Sequence, residues 1–205
     1  MNLKRRLSDL FLVTSTFPAE GKTLVSVNLA ATFALSGRKV LLIGMDIRNP
    51  KLDEYITVPQ KGLTNYLTDK NGTKIEDYIV KVGEVQNLDV LPSGIIPPNP
   101  AELLMSDKLG KIFSELQQKY DYIIVDTAPV SLVSDTLIIA KYADAFVYVT
   151  RANFLDKRML ELPEKLYQEN KLPNMSVVLN DTDVNKGYGY GYGYGYGQQI
   201  EKKSL

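Results

Sequence analysis

Hydrophobic positions in this chain form short, nearly continuous runs that are separated by stretches of helical spacing. The runs predict strands at residues 10–14, 40–43, 88–91, 122–125, 145–149 and 177–180. The stretches between them predict helices at residues 23–36, 62–68, 106–118, 134–142 and 157–169, and a Pro-rich loop at residues 97–100. Buried strands that alternate with helices are typical of a mostly parallel sheet with helices on both faces. The sequence therefore predicts an α/β fold.

The last part of the chain has a different pattern, because glycine and tyrosine alternate from Gly187 to Gly197. Glycine loses more conformational entropy on ordering than any other residue, so we predict that this segment is flexible. We therefore divide the chain into a domain of residues 1–183 and a tyrosine-rich tail of residues 184–205.

Composition restricts the chemistry of any site. The 205 residues contain neither cysteine nor histidine, which excludes thiolate metal sites and imidazole bases, so a proton acceptor must be a carboxylate or another group. Lys+Arg and Asp+Glu balance at 24 each, so net charge indicates no nucleic-acid partner, and none is predicted. No apolar run reaches the roughly 20 residues of a membrane helix, and the segment is predicted to be soluble.

Residues 16–23, Thr-Phe-Pro-Ala-Glu-Gly-Lys-Thr, follow a predicted strand and open a predicted helix, which is the context of a phosphate-binding P-loop. The N–H groups of such a turn lie at a helix N-terminus, where partial positive charge favours anions. We predict that Lys22 reaches the β- and γ-phosphates and that the Thr23 hydroxyl ligates Mg²⁺. The alternative is a polar turn that caps the helix. The predicted nucleotide contacts in and beside this loop are Thr16, Pro18, Ala19, Glu20, Gly21, Lys22, Thr23 and Leu24.

Two acids stand where a P-loop protein needs them, at the carboxyl ends of predicted strands. Asp126 ends the run of residues 122–125, and Asp46 lies shortly after the run of residues 40–43. Ligands of open α/β sheets collect at this edge. We predict that both acids bind Mg²⁺ and that Asp46 also activates an incoming hydroxyl. The alternative for each is a cap or turn residue.

Four further residues are candidates with an open alternative. Arg48 and Arg151 are predicted to stabilise phosphate charge, and surface or salt-bridge roles are the alternative. Asp135 either belongs to the site or caps its helix. Asn180 ends the last predicted strand and is a candidate adenine contact, with a strand-terminal turn as the alternative.

Together these motifs resemble the bacterial tyrosine kinases (BY-kinases) of capsule and exopolysaccharide synthesis. The resemblance is carried by residues 18–23, 27–30, 41–50 and 121–129, together with the C-terminal tyrosine cluster. It implies a P-loop NTPase-like fold with Walker A, A′ and B motifs at residues 16–23, 43–48 and 123–126.

The resemblance also implies an activity. It implies that Mg²⁺-ATP is used, with Lys22, Asp46 and Asp126 as catalytic residues and Thr23, Asp46 and Asp126 as metal ligands. It implies autophosphorylation between subunits of a homo-oligomer, which controls polysaccharide synthesis or export. The implied phosphoacceptors are Tyr188, Tyr190, Tyr192, Tyr194 and Tyr196.

The same resemblance implies partners and a location. Family members work with a membrane activator, a polysaccharide co-polymerase domain, and are opposed by a protein-tyrosine phosphatase. The expected location is the cytoplasmic face of the inner membrane if the chain is part of a longer membrane protein, or the cytoplasm if it is separate.

Two positions depart from the family pattern, and rival functions remain. Gly44 stands where the A′ motif often has a second acid, and no Glu-x-x-Arg-x-x-Arg helix precedes the first strand, which leaves ring formation open. The main alternative is a partition- or division-type ATPase switch, although the extra lysine common in that class is absent from residues 16–20. A scaffold without catalysis is a third. For the tail, the alternative to a kinase substrate is a segment that drives association.

Overall fold

The computed structural model describes residues 8–83 and 85–183. The predicted tail, its five candidate phosphoacceptor tyrosines and the basic residues that precede residue 8 lie outside the described residues. The division at residue 183 therefore stays a prediction.

One sheet organises the described part of the chain. Its strands are β1 Asp9–Ser15, β2 Val40–Gly44, β3 Val80–Lys81, β4 Leu88–Leu91, β5 Tyr122–Asp126, β6 Ala145–Arg151 and β7 Met175–Asn180. They lie in the order β3-β4-β2-β5-β1-β6-β7. All pairs are parallel except β3–β4, which is antiparallel. The six predicted strands are confirmed, and only the two-residue edge strand β3 was not predicted.

Helices cover the sheet on both faces, as predicted. They are α1 Lys22–Leu35, α2 Leu63–Thr68, α3 Pro100–Leu104, α4 Asp107–Leu116, α5 Asp135–Ile139 and α6 Glu161–Gln168. Short 3₁₀ turns lie at Leu52–Glu54, Ile75–Tyr78, Ala140–Tyr142 and Lys157–Leu160. The last two turns make up the end of the helix predicted at residues 134–142 and the start of the one predicted at 157–169.

One helix was missed where a Pro-rich loop was predicted. Pro100 occupies the first turn of α3, where a missing N–H is harmless because that group has no partner within the helix. A proline at the start of a helix therefore looks like a loop residue when the sequence is considered alone.

The strands are apolar throughout because both of their faces are buried. In β2, Leu42 packs in a core with Ala30 of α1, whereas the neighbouring Leu41 packs in a second core with Leu116 of α4. This second core also takes in apolar residues of α2, α3, α5 and α6. Complete burial of β2 explains why its sequence is continuous rather than alternating.

Parallel pairing brings the carboxyl ends of β1, β2 and β5 to one edge of the sheet. The P-loop follows β1, Asp46 follows β2, and Asp126 ends β5. The next two strands, β6 and β7, end at Arg151 and Asn180 on the other side of β1. Among the described helices, none has both the length and the apolar character required to span a bilayer.

Replacing Gly37 with alanine is expected to cost about 1 kcal/mol of unfolding free energy. Gly37 ends α1 with φ 85°, and its amide bonds the Ala34 carbonyl at 3.0 Å. A Cβ there meets no atom within 4 Å, so the penalty is that of a left-handed backbone alone. Gly83→Ala is the matched control, since that glycine is equally open and lacks the positive φ. Urea unfolding measures both, and equal losses would contradict the explanation.

Candidate active site

The P-loop is shaped by two residues in the left-handed region of backbone space. Ala19 has φ 66° and Gly21 has φ 93°, and Gly21 caps the start of α1. A Cβ on Gly21 would collide with the side-chain amide of Asn180. Glycine is therefore required at position 21 both for the backbone angle and for the space.

Thr16 begins the loop and is completely buried. Its hydroxyl shares a 2.9 Å hydrogen bond with the hydroxyl of Tyr148, and its carbonyl accepts bonds from the amide and the hydroxyl of Ser131. Burial raises the pKa of Tyr148 to about 12, so this phenol keeps its proton at neutral pH. Thr16, which was predicted to contact the nucleotide, thus fixes the start of the loop through its bonds to Tyr148 and Ser131.

Glu20 is also fully buried, with its carboxyl group folded into the loop. Oε2 accepts a 2.6 Å hydrogen bond from the amide of Phe17, whereas Oε1 has no hydrogen-bond partner within the described residues. Burial raises the pKa of Glu20, while the amides of Phe17, Arg151 and Thr16 act to lower it. Its side chain serves the loop's own shape, although the sequence placed it among the nucleotide contacts.

Lys22, Asp46 and Asp126 converge at the edge of the sheet, as the sequence predicted. The Lys22 Nζ lies 3.0 Å from Asp46 Oδ2 and 3.6 Å from Asp126 Oδ1. The Thr23 hydroxyl donates to Asp126 Oδ2 at 2.8 Å. Burial raises the pKa of Asp126, and Lys22 and Thr23 oppose that shift by favouring the carboxylate. The four side chains form one buried polar cluster of alternating charge.

Main-chain hydrogen bonds hold Asp46 in place. The amides of Met45 and Asp46 both donate to the Asp126 carbonyl, at 2.7 and 3.1 Å, and Asp46 Oδ1 accepts the Asn49 amide at 3.1 Å. The turn after β2 is thereby fastened to the end of β5, and the two carboxylates are set at a fixed spacing.

Ser26 belongs to this cluster but was not predicted. Its hydroxyl donates to the Lys22 carbonyl at 2.8 Å and lies 3.4 Å from Asp126 Oδ1. The available signal was its spacing, because residues three and four apart share one face of a helix and Ser26 follows Thr23 and Lys22 at those distances.

Gly44 packs against the loop after β4, which explains why no acid stands there. A Cβ on Gly44 would lie 2.6 Å from Ser93 Oγ and 3.1 Å from the Ser93 amide. Any side chain would require the chain at Ser93 to move. The carboxylates of this cluster are therefore supplied by Asp46 and Asp126.

Arg48 and Asp135 form an ion pair between an exposed guanidinium and a buried carboxylate. Arg48 donates to the two Asp135 oxygens at 2.7 and 3.0 Å, and Asp135 is only 1% exposed. Asp135 is the first residue of α5, after the capping position Ser134. Its carboxylate holds Arg48 at the cleft rather than closing the helix end.

A cleft of about 530 Å³ opens beside the cluster. The predicted residues on its wall are Pro18, Ala19, Gly21, Lys22, Thr23, Asp46 and Arg48. Residues that sequence reasoning missed complete the wall: Asn49, Lys51, Glu54, Tyr55, Ala128, Pro129, Leu132 and Val133. They come from the turns after β2 and β5. Asn49, Ala128 and Pro129 lie within the motif segments 41–50 and 121–129, and no periodic or motif signal marked the other five.

Several predicted residues do not line this cleft. Asp126 lies beneath Thr23, and Leu24 is a partly exposed residue of α1. Arg151 donates to the Ala19 carbonyl at 3.2 Å and to Asp181 Oδ2 at 2.9 Å, and Asn180 donates to the Glu20 carbonyl at 3.0 Å. Both contact the back of the P-loop.

The donor set suits a hard cation that shares its ligands with a bound phosphate. Thr23, Asp46 and Asp126 supply only oxygen atoms, the ligands that Mg²⁺ prefers. Within residues 8–83 and 85–183, no group of three or more acids forms a self-sufficient metal cage. Mg²⁺ in proteins commonly takes one or two carboxylates and completes its shell with water and substrate phosphate, which these residues match.

Comparison with known proteins gives consistent matches. Residues 19–157 match the AAA domain family. Tyrosine-protein kinase CpsD of Streptococcus pneumoniae is 37% identical over 175 residues, which cover 84% of this chain and 76% of that protein.

Solved structures agree with the sequence matches. The kinase domain of the Escherichia coli tyrosine kinase ETK superposes with a TM-score of 0.80 at 30% identity, covering 95% of this chain and 74% of that one. The chimerical protein CapA2B2 superposes with a TM-score of 0.79 at 32% identity, covering 85% and 76%. A mostly parallel P-loop fold of this type is a nucleotide-binding fold.

Replacing Gly44 with alanine is expected to destabilise the protein by about 1–3 kcal/mol, because the added methyl overlaps Ser93. Ser93→Gly in the same chain should recover part of the loss, since it removes the Oγ contact and leaves the amide contact. Urea unfolding of the single and double variants measures this coupling. Strictly additive losses would show that the two positions do not interfere.

The unfolding free energy of the Glu20→Gln variant, measured relative to the parent, is expected to increase as pH rises. The folded-state pKa of Glu20 lies above its usual 4.5, so the contribution of this carboxyl is present below that pH and is lost as pH rises through the folded pKa. Urea unfolding at about pH 4.5 and about pH 8 gives the difference between variant and parent at each pH. The exposed Glu161→Gln is the control. A difference that stays constant for Glu20→Gln would contradict the argument.

Proposed function

The chain belongs to the family of bacterial tyrosine-protein kinases, and we propose that it transfers the γ-phosphate of ATP to tyrosine hydroxyls, including those of its own C-terminal cluster. One observation carries the proposal. The Nζ of Lys22, the first residue of α1, lies 3.0 Å from Asp46 Oδ2 and 3.6 Å from Asp126 Oδ1. Phosphoryl transfer needs such a cation, metal-binding acids and a cradle of amides in one place.

The P-loop supplies the phosphate cradle in this proposal. Amides near the start of α1 and the Lys22 ammonium bind the β- and γ-phosphates, because both carry positive charge at the same end of the helix. Lys22 is buried, so its attraction for phosphate is weakly screened. Arg48 lies on the cleft wall, held by Asp135, and adds a second cation toward the transferred phosphoryl group.

The two acids have different roles because they differ in access. Asp126 is buried beneath Thr23 and Ser26, so it orients the Thr23 hydroxyl and contributes to Mg²⁺ binding from below. Asp46 lines the cleft, so it can also meet an incoming tyrosine hydroxyl. When bound, Mg²⁺ neutralises charge on the phosphate oxygens. The transition state is loose, and Asp46 therefore needs mainly to orient the hydroxyl rather than to remove its proton early.

The proposal extends to regulation and partners. We assign the chain to the control of capsular or exopolysaccharide synthesis or export, with self-association between subunits. The other proposed partners are a membrane activator, a polysaccharide co-polymerase domain, and an opposing protein-tyrosine phosphatase. The proposed location is the cytoplasmic face of the inner membrane, or the cytoplasm for a separate chain. The support is the similarity of the chain to tyrosine-protein kinase CpsD and to the chimerical protein CapA2B2.

Incubation with Mg²⁺-ATP followed by mass spectrometry should find phosphotyrosine among Tyr188, Tyr190, Tyr192, Tyr194 and Tyr196. Lys22→Met should reduce incorporation about 100-fold or more, because it removes the cation that meets developing charge on the phosphate. Lys61→Met is the matched control, since this exposed lysine lies outside the cleft, and it should leave incorporation unchanged.

Circular dichroism of the Lys22→Met variant checks that it folds, because removing Lys22 leaves two buried carboxylates without their cation. Release of free phosphate without phosphotyrosine would overturn the kinase proposal and favour a nucleotide-driven switch. Neither product would favour a scaffold that has lost catalysis.

A further inference from the structure

Two side chains hold consecutive carbonyl groups at the back of the P-loop. Arg151, at the end of β6, donates through a guanidinium nitrogen to the Ala19 carbonyl at 3.2 Å. Asn180, at the end of β7, donates through its side-chain amide to the Glu20 carbonyl at 3.0 Å. Both strands lie on the same side of β1, so both bonds pull the loop in one direction.

Because the peptide group is planar, these two hydrogen bonds also fix the direction of the N–H group that follows each carbonyl. In a trans peptide the carbonyl and the following N–H point in opposite directions, and no cis peptide occurs in the described residues. A carbonyl of Ala19 directed toward β6 turns the N–H of Glu20 away from β6. In the same way, a carbonyl of Glu20 directed toward β7 turns the N–H of Gly21 away from β7.

The loop needs this restraint because part of its backbone has an unfavourable conformation. Ala19 adopts a left-handed φ of 66°, which a residue with a Cβ rarely keeps without support. The Ala19 carbonyl held by Arg151 is part of this same residue. Glycine at position 21 leaves the space that the Asn180 amide occupies.

A third residue braces Arg151, and a main-chain bond joins the ends of the two strands. Asp181 Oδ2 accepts a second bond from Arg151 at 2.9 Å, and the Ala152 amide bonds the Asn180 carbonyl at 2.9 Å. The ends of β6 and β7 are thereby joined to each other as well as to the loop. We call Arg151, Asn180 and Asp181 the carbonyl clamp.

We propose that Arg151 and Asn180 are positioning residues that set the orientation of the P-loop amides and so the affinity for a triphosphate. Arg151 is then not a direct phosphate contact, and Asn180 is not a residue that reads the adenine base. The inference rests on the proposed function only in taking the P-loop as a phosphate site. It differs from an adenine contact in what it predicts. A base contact affects only ligands that carry the base, whereas a positioning residue affects every ligand that carries the phosphates.

Calorimetric titration with Mg²⁺-ATP, Mg²⁺-GTP and inorganic tripolyphosphate separates the two roles. Asn180→Ala should weaken all three by a similar factor of about 3- to 10-fold, the loss typical of one hydrogen bond. Arg151→Ala should behave alike, and Arg151→Lys, which keeps a donor, should recover part of the affinity. Weaker ATP binding with unchanged tripolyphosphate binding would overturn the inference and assign Asn180 to the base.

A spectroscopic signature tests the mechanism without ligand. In ¹⁵N-labelled protein, Asn180→Ala should shift the amide resonance of Gly21, and Arg151→Ala that of Glu20, since these N–H groups share peptide planes with the released carbonyls. Unmoved resonances would contradict the proposal. Asn180→Leu, which has about the same shape and carries neither a donor nor a charge, gives the same test if the alanine variant unfolds in urea at a lower midpoint.

This experiment is independent of the kinase assay, because binding is measured without an acceptor or turnover. Failure of the unaltered protein to bind tripolyphosphate would overturn the inference. Absence of phosphotyrosine with intact tripolyphosphate binding would overturn only the proposed kinase function.

Discussion

The arrangement of the site depends on one buried ionic cluster, in which the Lys22 ammonium lies between the carboxylates of Asp46 and Asp126. Removing charges from water is costly, and the cost is offset only when the geometry and the added hydrogen bonds are good. Here Thr23 donates to Asp126, the Ser26 hydroxyl lies 3.4 Å from it, and the Asn49 amide donates to Asp46. The cluster therefore requires the ends of β1, β2 and β5 to meet at the correct spacing.

The rest of the fold maintains that spacing. The amides of Met45 and Asp46 join the turn after β2 to the Asp126 carbonyl, and a Cβ at Gly44 would push that turn away from the loop at Ser93. On the opposite flank, the carbonyl clamp holds the P-loop from behind. Charge, backbone direction and packing space thus act on the same few residues, as the oriented groups of a phosphoryl-transfer site require.

Much of this was predictable from sequence because the signals are local. Continuous apolar runs predicted six strands, and parallel pairing then required that Asp46, Asp126 and the P-loop share one edge. The helix at residues 23–36 and the cluster of Lys22 with its acids were also predicted. Strand β3 and helix α3 were missed, since a two-residue edge strand has no period to detect and Pro100 resembles a loop residue.

The sequence by itself determined which residues carry charge, where each of the six long strands lies to within one or two residues and which turn forms the P-loop, because these depend on residue type and spacing along the chain. Only the tertiary structure decided the direction of each side chain. Thr16 and Glu20 turn inward, Arg48 pairs with a buried acid, and Arg151 and Asn180 contact carbonyl groups behind the loop. Each of these partners except the Phe17 amide of Glu20 lies far away in the sequence. Such contacts form only when strand order brings distant segments together, and no local pattern encodes that order.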